Sequence, residues 1–215
     1  GEGGAHQSML TASIGAEFPE LASYEPCFGQ ELEWILLDAL RRVARRESST
    51  YLRLTTKRVD QELFPSLADA DARETLRRQI LGGAYRLRDA RGDAGYAPGQ
   101  NVVHLFAGGA MVPEALKAFD ALSIEGMHIN VFNVTGPGPL YGALQRTAMA
   151  ETWGGPRPPS LFDELIPPAG RTAPVVTVVD AHPHSLAWIG SALGTRVWPL
   201  GVTRFGQSGT MSDVY

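Results

Sequence analysis

His6 lies in the stretch GEGGAHQS at the start of the sequence and is the first side chain whose setting suits catalysis. Glycines at positions 1, 3 and 4 leave its imidazole accessible, and an ordinary imidazole pKa of about 6.5 suits proton transfer near neutral pH. A histidine in a glycine-rich loop is also commonly a solvated side chain with no role in chemistry. The local pattern therefore makes His6 a candidate acid or base and leaves the solvated alternative open.

Asp180, His182 and His184 follow a β-branched stretch, 175–179, that reads as a strand. Open α/β sheets bind ligands at the carboxyl ends of their strands, and one Asp with two His suits zinc or iron. Pro183 fixes the directions of the two histidines, but a metal would still need ligands from elsewhere. Polar groups satisfied within a loop or a subunit interface are the favoured interpretation, so no metal site is predicted.

Two glycine-containing turns each lead from a predicted strand into a predicted helix. Residues 106–109 could cradle a phosphate on backbone N–H groups, but neither the full dinucleotide fingerprint nor a P-loop lysine is present. Residues 135–139 are Thr-Gly-Pro-Gly-Pro, and turn chemistry explains each of them. We predict a tight structural turn at both places.

These residues need elements to position them, and the apolar periodicity supplies helices and strands in alternation. Helices are predicted over 28–46, 69–81, 112–122, 140–150 and 185–193, and strands over 51–55, 102–107, 129–134, 175–179 and 196–200. The apolar stripe expected to face the core in the first helix consists of Leu32, Ile35, Leu36, Ala39, Leu40 and Val43. Strands that are apolar on both faces and alternate with single helices predict an α/β fold of three layers, α/β/α, with a mostly parallel sheet.

Composition excludes several classes of protein. The 215 residues carry a net charge of −4 and one cysteine, Cys27, so an internal disulfide framework is excluded and a reducing compartment is favoured. No apolar run approaches the roughly 18 residues that span a bilayer. Mild acidity argues against a nucleic-acid partner. We expect a soluble, cytoplasmic protein without a membrane or nucleic-acid partner.

The chain resembles the thiamine-diphosphate enzymes of the transketolase superfamily, and most closely the homodimeric E1 component of pyruvate dehydrogenase. GEGGAHQS is similar to the family's G-E-G-x-x-H loop, and Tyr24-Glu25-Pro26 is similar to the start of its Y-D-P helix. Residues 77–87, 102–109 and 201–208 resemble the start, the first strand and turn, and the last loop of the family's C-terminal domain. The order and spacing of these segments carry the resemblance.

This resemblance implies two units along the chain. Residues 1–68 are expected to be the C-terminal part of a pyrimidine-binding domain with a linker, and residues 69–215 a transketolase-type C-terminal domain. Gly1 is interpreted as a cut inside an active-site loop rather than a natural start.

The resemblance also implies an activity. The chain is expected to be part of an E1 subunit that decarboxylates a small 2-oxo acid of the pyruvate type and passes the acyl group to a lipoyl acyltransferase partner. His6 matches the active-site loop histidine, a proton donor or hydrogen-bond partner of the substrate carbonyl, and Glu2 is expected to support that loop as a cofactor-binding residue. Active sites of the family form between two subunits, so a second copy of the chain is expected as a partner.

The implied cofactor is thiamine diphosphate with Mg²⁺, but its main binding motifs are absent from this chain. The family holds both groups on a G-D-G motif followed by an Asn, and a glutamate that polarises the cofactor is expected before residue 1. The chain alone is therefore expected to be inactive, and no residue of it is assigned as a metal ligand.

Departures from the E1 pattern leave the identity of the substrate undetermined. Leu10 stands where E1 has a second histidine, and Thr203 stands where the last loop of the family has an aspartate. The pair His6-Gln7 is similar to the transketolase form of the loop, although its spacing from Glu2 is that of E1.

Two other functions therefore remain as alternatives. The first is a ketol transferase of the transketolase type, for which Arg53, Lys57 and Arg58 are the nearest cations to bind a sugar phosphate. The second is a non-catalytic dimerisation or binding module of the same fold.

Overall fold

The computed structural model describes residues 8–18 and 20–206, which form two sheets with helices packed around them. The strands are β1 Leu21–Tyr24, β2 Ser49–Leu52, β3 Tyr85–Arg88, β4 Val102–Gly108, β5 His128–Val134, β6 Val175–Val178 and β7 Val197–Leu200. The helices are α1 Ile14–Glu17, α2 Gly29–Ala44, α3 Ala70–Gly82, α4 Val112–Ile124, α5 Pro137–Trp153, α6 Leu161–Leu165, α7 His184–Ala187 and α8 Ile189–Leu193.

The main sheet has the strand order β3-β5-β4-β6-β7. Its strands β5, β4, β6 and β7 pair in parallel, and β3 pairs antiparallel at one edge. Each parallel pair is reached through helices, which is the connection that parallel strands require. The α/β fold class with helices on both faces of a mostly parallel sheet is confirmed, and the antiparallel edge strand β3 is an addition to the prediction.

The core lies on both faces of the main sheet. Phe106 and Phe132, stacked with ring centroids 4.5 Å apart, face one apolar cluster, and their strand neighbours Leu105 and Val131 face another. Neighbouring residues of a strand point to opposite faces, so β4 and β5 are buried on both sides. This double burial explains why these strands read as continuous apolar runs in the sequence.

The small sheet consists of β1 and β2, paired in parallel, and α2 connects them. The helix buries Glu31, Trp34 and Ile35. The prediction for its buried face was wrong in part, because Leu36 and Leu40 are 42% and 67% exposed. The side of α2 that carries Trp34 packs toward α3 and the main sheet. The apolar periodicity of the sequence does not distinguish this side from the neighbouring apolar stripe.

The connection at residues 57–68 packs against the start of α2 and against β3. Phe64 contacts Phe28 and Tyr85 edge to face, with ring centroids 5.5 and 6.4 Å apart. The division of the chain at residue 68 stays a prediction.

Two predicted helices differ from the observed ones. The helix predicted at 140–150 begins at Pro137, because proline suits a first helical turn. The helix predicted at 185–193 is two short helices that meet at Trp188, whose indole N–H donates to the Ser185 carbonyl at 2.7 Å. Among the helices of the described ranges, none has both the length and the apolar character that a membrane span requires.

Candidate functional site

The carboxyl ends of strands from both sheets meet at one place, where Glu25, Arg53 and Asp180 form a strand-end cluster. Glu25 follows β1, Arg53 follows β2 and Asp180 comes shortly after β6. The Arg53 guanidinium donates to the Glu25 carboxylate, and its Nη2 donates to the Asp180 carbonyl oxygen at 2.6 Å. Nη2 also lies 3.6 Å from the Asp180 carboxylate. One arginine therefore ties the small sheet to the main sheet at the edge where α/β folds bind ligands.

Glu25 is the buried member of the strand-end cluster, with 7% of its surface exposed. Its backbone N–H donates to the Thr135 carbonyl at 2.7 Å, which brings the end of β5 to the same place. Burial raises the pKa of Glu25, and the Arg53 guanidinium opposes that rise. A buried carboxylate is tolerated here because it is paired and hydrogen-bonded.

Gly109 lies at the end of β4, directly against Glu25. Its φ is +50°, and the Glu25 carboxylate fills the space that a side chain at this position would need. A side chain larger than glycine does not fit at this position without displacing Glu25. The turn at residues 106–109 packs tightly against Glu25, and its assignment as a structural turn rather than a phosphate cradle stays a prediction.

The two histidines after β6 contact each other rather than forming a ligand set with Asp180. Their Nδ1 atoms are 2.6 Å apart, and His184 Nε2 is 2.7 Å from the Ser13 hydroxyl. The Asp180 carboxylate faces Arg53 instead. In the part of the chain that the structure describes, no three His, Cys, Asp or Glu side chains converge as metal ligands would.

Glu31 is the centre of a second buried polar cluster, which none of the sequence motifs indicates. It is fully buried, and Oε2 accepts the N–H groups of Cys27 and Phe28 at 2.7 and 3.0 Å. Oε1 accepts the Tyr85 hydroxyl and the Asn133 amide, both at 2.7 Å. The signal in the sequence is a glutamate three residues after the helix N-cap, where a capping box places one. The cluster joins α2 to β3 and β5.

Glu31 is expected to make the stability of the fold depend on pH. Burial raises its pKa from 4.5 to about 7 against the four donors, so between these values the folded chain holds a proton that the unfolded chain has lost. Stability from this group is full below about pH 4.5 and falls as the pH rises to about 7, by roughly 3 kcal/mol at about 1.4 kcal/mol per pH unit. Urea unfolding of the wild type and of Glu31→Gln across this range measures the fall as the difference between the two curves.

The matched control for this experiment is Glu33→Gln, which changes an exposed carboxyl of the same helix. Its curve should run parallel to that of the wild type. If Glu31→Gln also runs parallel to the wild type, Glu31 keeps one protonation state throughout and the expectation is wrong.

A cleft of about 560 Å³ lies at the other end of the small sheet, beside the amino ends of β1 and β2. It is lined by glycines, alanines and the side chains of Arg42, Arg78 and Arg146. Arg42 donates to Asp38 and Arg78 donates to Glu164, each at 2.6 Å. Because ligands of parallel sheets bind at the carboxyl ends, we place the candidate site at the strand-end cluster and not in this cleft.

Solved transketolases have the same arrangement of strands and helices over the whole chain. The transketolase of Campylobacter jejuni subsp. jejuni matches 100% of the chain with a TM-score of 0.62 and 20% identity, and that of Leishmania mexicana matches 100% with 0.63 and 19%. A complex of the Pichia stipitis transketolase with sedoheptulose-7-phosphate matches 100% with 0.61 and 18%. The fold is of the transketolase type. The chain spans about a quarter of the length of these proteins, 27%, 26% and 25% respectively.

The other comparisons add no family or relative. No protein-family model matches the chain, and no curated protein matches it. The structural likeness shows the transketolase-type fold, and it does not show the closer likeness to the pyruvate dehydrogenase E1 component that the sequence motifs predict.

The described part of this transketolase-type fold does not fit a bound thiamine diphosphate. The glycine turn suited to a phosphate faces the Glu25 carboxylate, and the described ranges contain no cluster of side chains suited to Mg²⁺. We therefore derive no catalytic step through the cofactor from these residues. His6 and Glu2, predicted as catalytic and cofactor-binding, lie outside the described residues.

The three cations proposed for a sugar phosphate have different environments. Arg53 is engaged by Glu25 and Asp180, and Lys57 donates to Glu114 at 2.8 Å. Arg58 is exposed to solvent. The structure thus does not bring the three together into one phosphate-binding group.

Proposed function

We propose that the chain is the C-terminal part of a thiamine-diphosphate-dependent enzyme of the transketolase type, with ketol transfer between sugar phosphates as its reaction. The observation that carries the proposal is the match of the whole chain to transketolases, among them Pichia stipitis complexes with fructose-6-phosphate, xylulose-5-phosphate and sedoheptulose-7-phosphate. The pair His6-Gln7, which has the transketolase form, supports the same reaction.

In this proposal the chain contributes a loop and a scaffold, and other parts of a longer protein hold the cofactor and Mg²⁺. His6 donates a proton or a hydrogen bond to the substrate carbonyl oxygen, and Glu2 supports its loop. The strand-end cluster of Glu25, Arg53 and Asp180 ties the small sheet to the main sheet. A second copy of the same subunit completes the active site.

A 2-oxo-acid dehydrogenase of the E1 type is the second candidate. Its specific support is that Arg53 and Lys57, which a sugar phosphate would need, are already paired with carboxylates, and that the spacing of Glu2 and His6 is the E1 spacing. A small 2-oxo acid carries no phosphate and does not require these cations. The acyl product would pass to a lipoyl acyltransferase.

The deciding experiment uses the complete protein that contains this chain, supplied with thiamine diphosphate and Mg²⁺. Ketol transfer from a ketose phosphate to an aldose phosphate is measured beside oxidation of pyruvate with an artificial electron acceptor. We expect ketol transfer to be the faster reaction. Turnover of pyruvate alone would assign the E1 function instead, and no turnover of either substrate would indicate a binding or dimerisation module.

A further inference from the structure

Residues 8–13, which follow His6 in the sequence, are held by the loop after β6 that we call the His loop, residues 180–184. The Ser13 hydroxyl is 2.7 Å from His184 Nε2, and the His182 backbone N–H donates to the Met9 carbonyl at 3.2 Å. Among the described residues these are the hydrogen bonds that tie residues 8–13 to distant parts of the chain. Ser13 itself is buried, so its hydroxyl needs this partner.

The His loop is itself fixed from two directions. Arg53 donates to the Asp180 carbonyl at 2.6 Å, and the Val202 N–H donates to the Ala181 carbonyl at 2.8 Å. Pro183 restricts the backbone between the two histidines. The loop therefore has the rigidity that a support for another segment requires.

The hydrogen bonds among His182, His184 and Ser13 are consistent with only one direction of donation along the three side chains. His182 Nδ1 faces both the backbone N–H and the Nδ1 of His184, at 3.3 and 2.6 Å, so it is an acceptor. His184 then carries its proton on Nδ1, which leaves Nε2 to accept from the Ser13 hydroxyl. Each imidazole is thus oriented by the other, and the Ser13 side chain is held by the second of them.

A support at Met9 and Ser13 restricts the position of His6, since only two residues separate His6 from Met9. Three residue steps span at most about 10 Å of extended chain. Misplacing a catalytic group by about 1 Å can cost on the order of 100-fold in rate. The contacts of the His loop therefore fix Met9 and Ser13, which are close to His6 in the sequence.

We propose that His182 and His184 are positioning residues, which through Met9 and Ser13 hold the segment that carries His6. The inference rests on the proposed function, because it assigns the positioning to the catalytic loop of that enzyme. The two histidines do not contact substrate in this proposal, and they act on residues 8–13 through the Ser13 hydroxyl and the Met9 carbonyl.

Amide hydrogen exchange of this chain tests the support without any assay of activity. Ser13→Ala and His184→Phe should each accelerate exchange of residues 8–18 about fivefold, the effect of losing one hydrogen bond. His184→Gln keeps an amide near the Nε2 position and should restore slow exchange, and the distant control His128→Phe should leave residues 8–18 unchanged. Unchanged exchange in both Ser13→Ala and His184→Phe would overturn the proposal.

Steady-state kinetics of the complete protein then test the link to His6, with whichever substrate it turns over. His184→Phe should lower kcat about tenfold with little change in KM, His184→Gln should recover most of it, and adding Ser13→Ala to His184→Phe should lower it no further. Faster exchange with unchanged kcat overturns the positioning role while the proposed function stands. If exchange is faster but the complete protein turns over neither class of substrate, the proposed function is overturned. The role of the two histidines in catalysis is then overturned with it.

Discussion

Replacing His6 by alanine in the complete protein is expected to lower kcat by about 10²–10⁴-fold. This is the usual contribution of a positioned proton donor and corresponds to about 3–5 kcal/mol of activation free energy. The group is proposed to act on the substrate carbonyl as charge develops there, so kcat and kcat/KM should fall together. Steady-state kinetics with the ketose phosphate and with the 2-oxo acid measure the effect for both candidate reactions.

The control for His6→Ala is His128→Ala, which removes a histidine at the start of β5 that contacts Asp93 and Tyr96. Its turnover should match that of the wild type. Equal turnover of His6→Ala and the wild type would contradict the assignment of His6 as a catalytic residue. A complete protein without either activity would instead favour the non-catalytic module.

Replacing Gly83 by alanine is expected to destabilise the fold by about 2–5 kcal/mol. Gly83 ends α3 with a φ of +107°, a conformation that costs an alanine about 1–2 kcal/mol. The added Cβ would also meet the Gly136 carbonyl oxygen and lie 2.9 Å from the Leu140 Cβ, and such overpacking costs about 1–3 kcal/mol more. Urea unfolding of the chain measures the sum.

Gly126→Ala separates the two contributions. Gly126 has a φ of +82°, and no atom lies within 4 Å of the place where its Cβ would be. Its replacement should cost only the conformational part, about 1–2 kcal/mol. If the two variants lose the same free energy of unfolding, the distance between the end of α3 and the start of α5 is larger than in the structure.

The parallel strands of the main sheet could be predicted because the signals that mark them are local in the sequence. The runs at 102–107 and 129–134 read as buried strands, and they form β4 and β5 within one residue at each end. The strands β1 and β3 are not predicted, because their sequences, LASY and YRLR, lack the β-branched run that marks the equally short β6, VVTV. Gly82 and Gly83 predicted the end of α3, since only glycine adopts a left-handed C-cap at little cost.

The candidate site was predictable only in part. Asp180, His182 and His184 were recognised from their place after a strand, but the histidine pair turned toward Ser13 and the aspartate toward Arg53. Glu25 drew attention only as part of a family motif, because its burial against Gly109 depends on two segments that are distant in the sequence. His6 and Glu2 stay predictions.

The sequence by itself determined the alternation of helices and strands, the glycine turns and the types of side chain at the strand ends. Those features follow from periodicity and from backbone preferences within a few residues. Only the tertiary structure decided that Arg53 meets Glu25, 28 positions before it, and Asp180, 127 positions after it. The physical reason is that crossover connections bring the carboxyl ends of parallel strands to one edge of the sheet. Burial at that edge then sets which carboxylates are paired and how readily they are protonated.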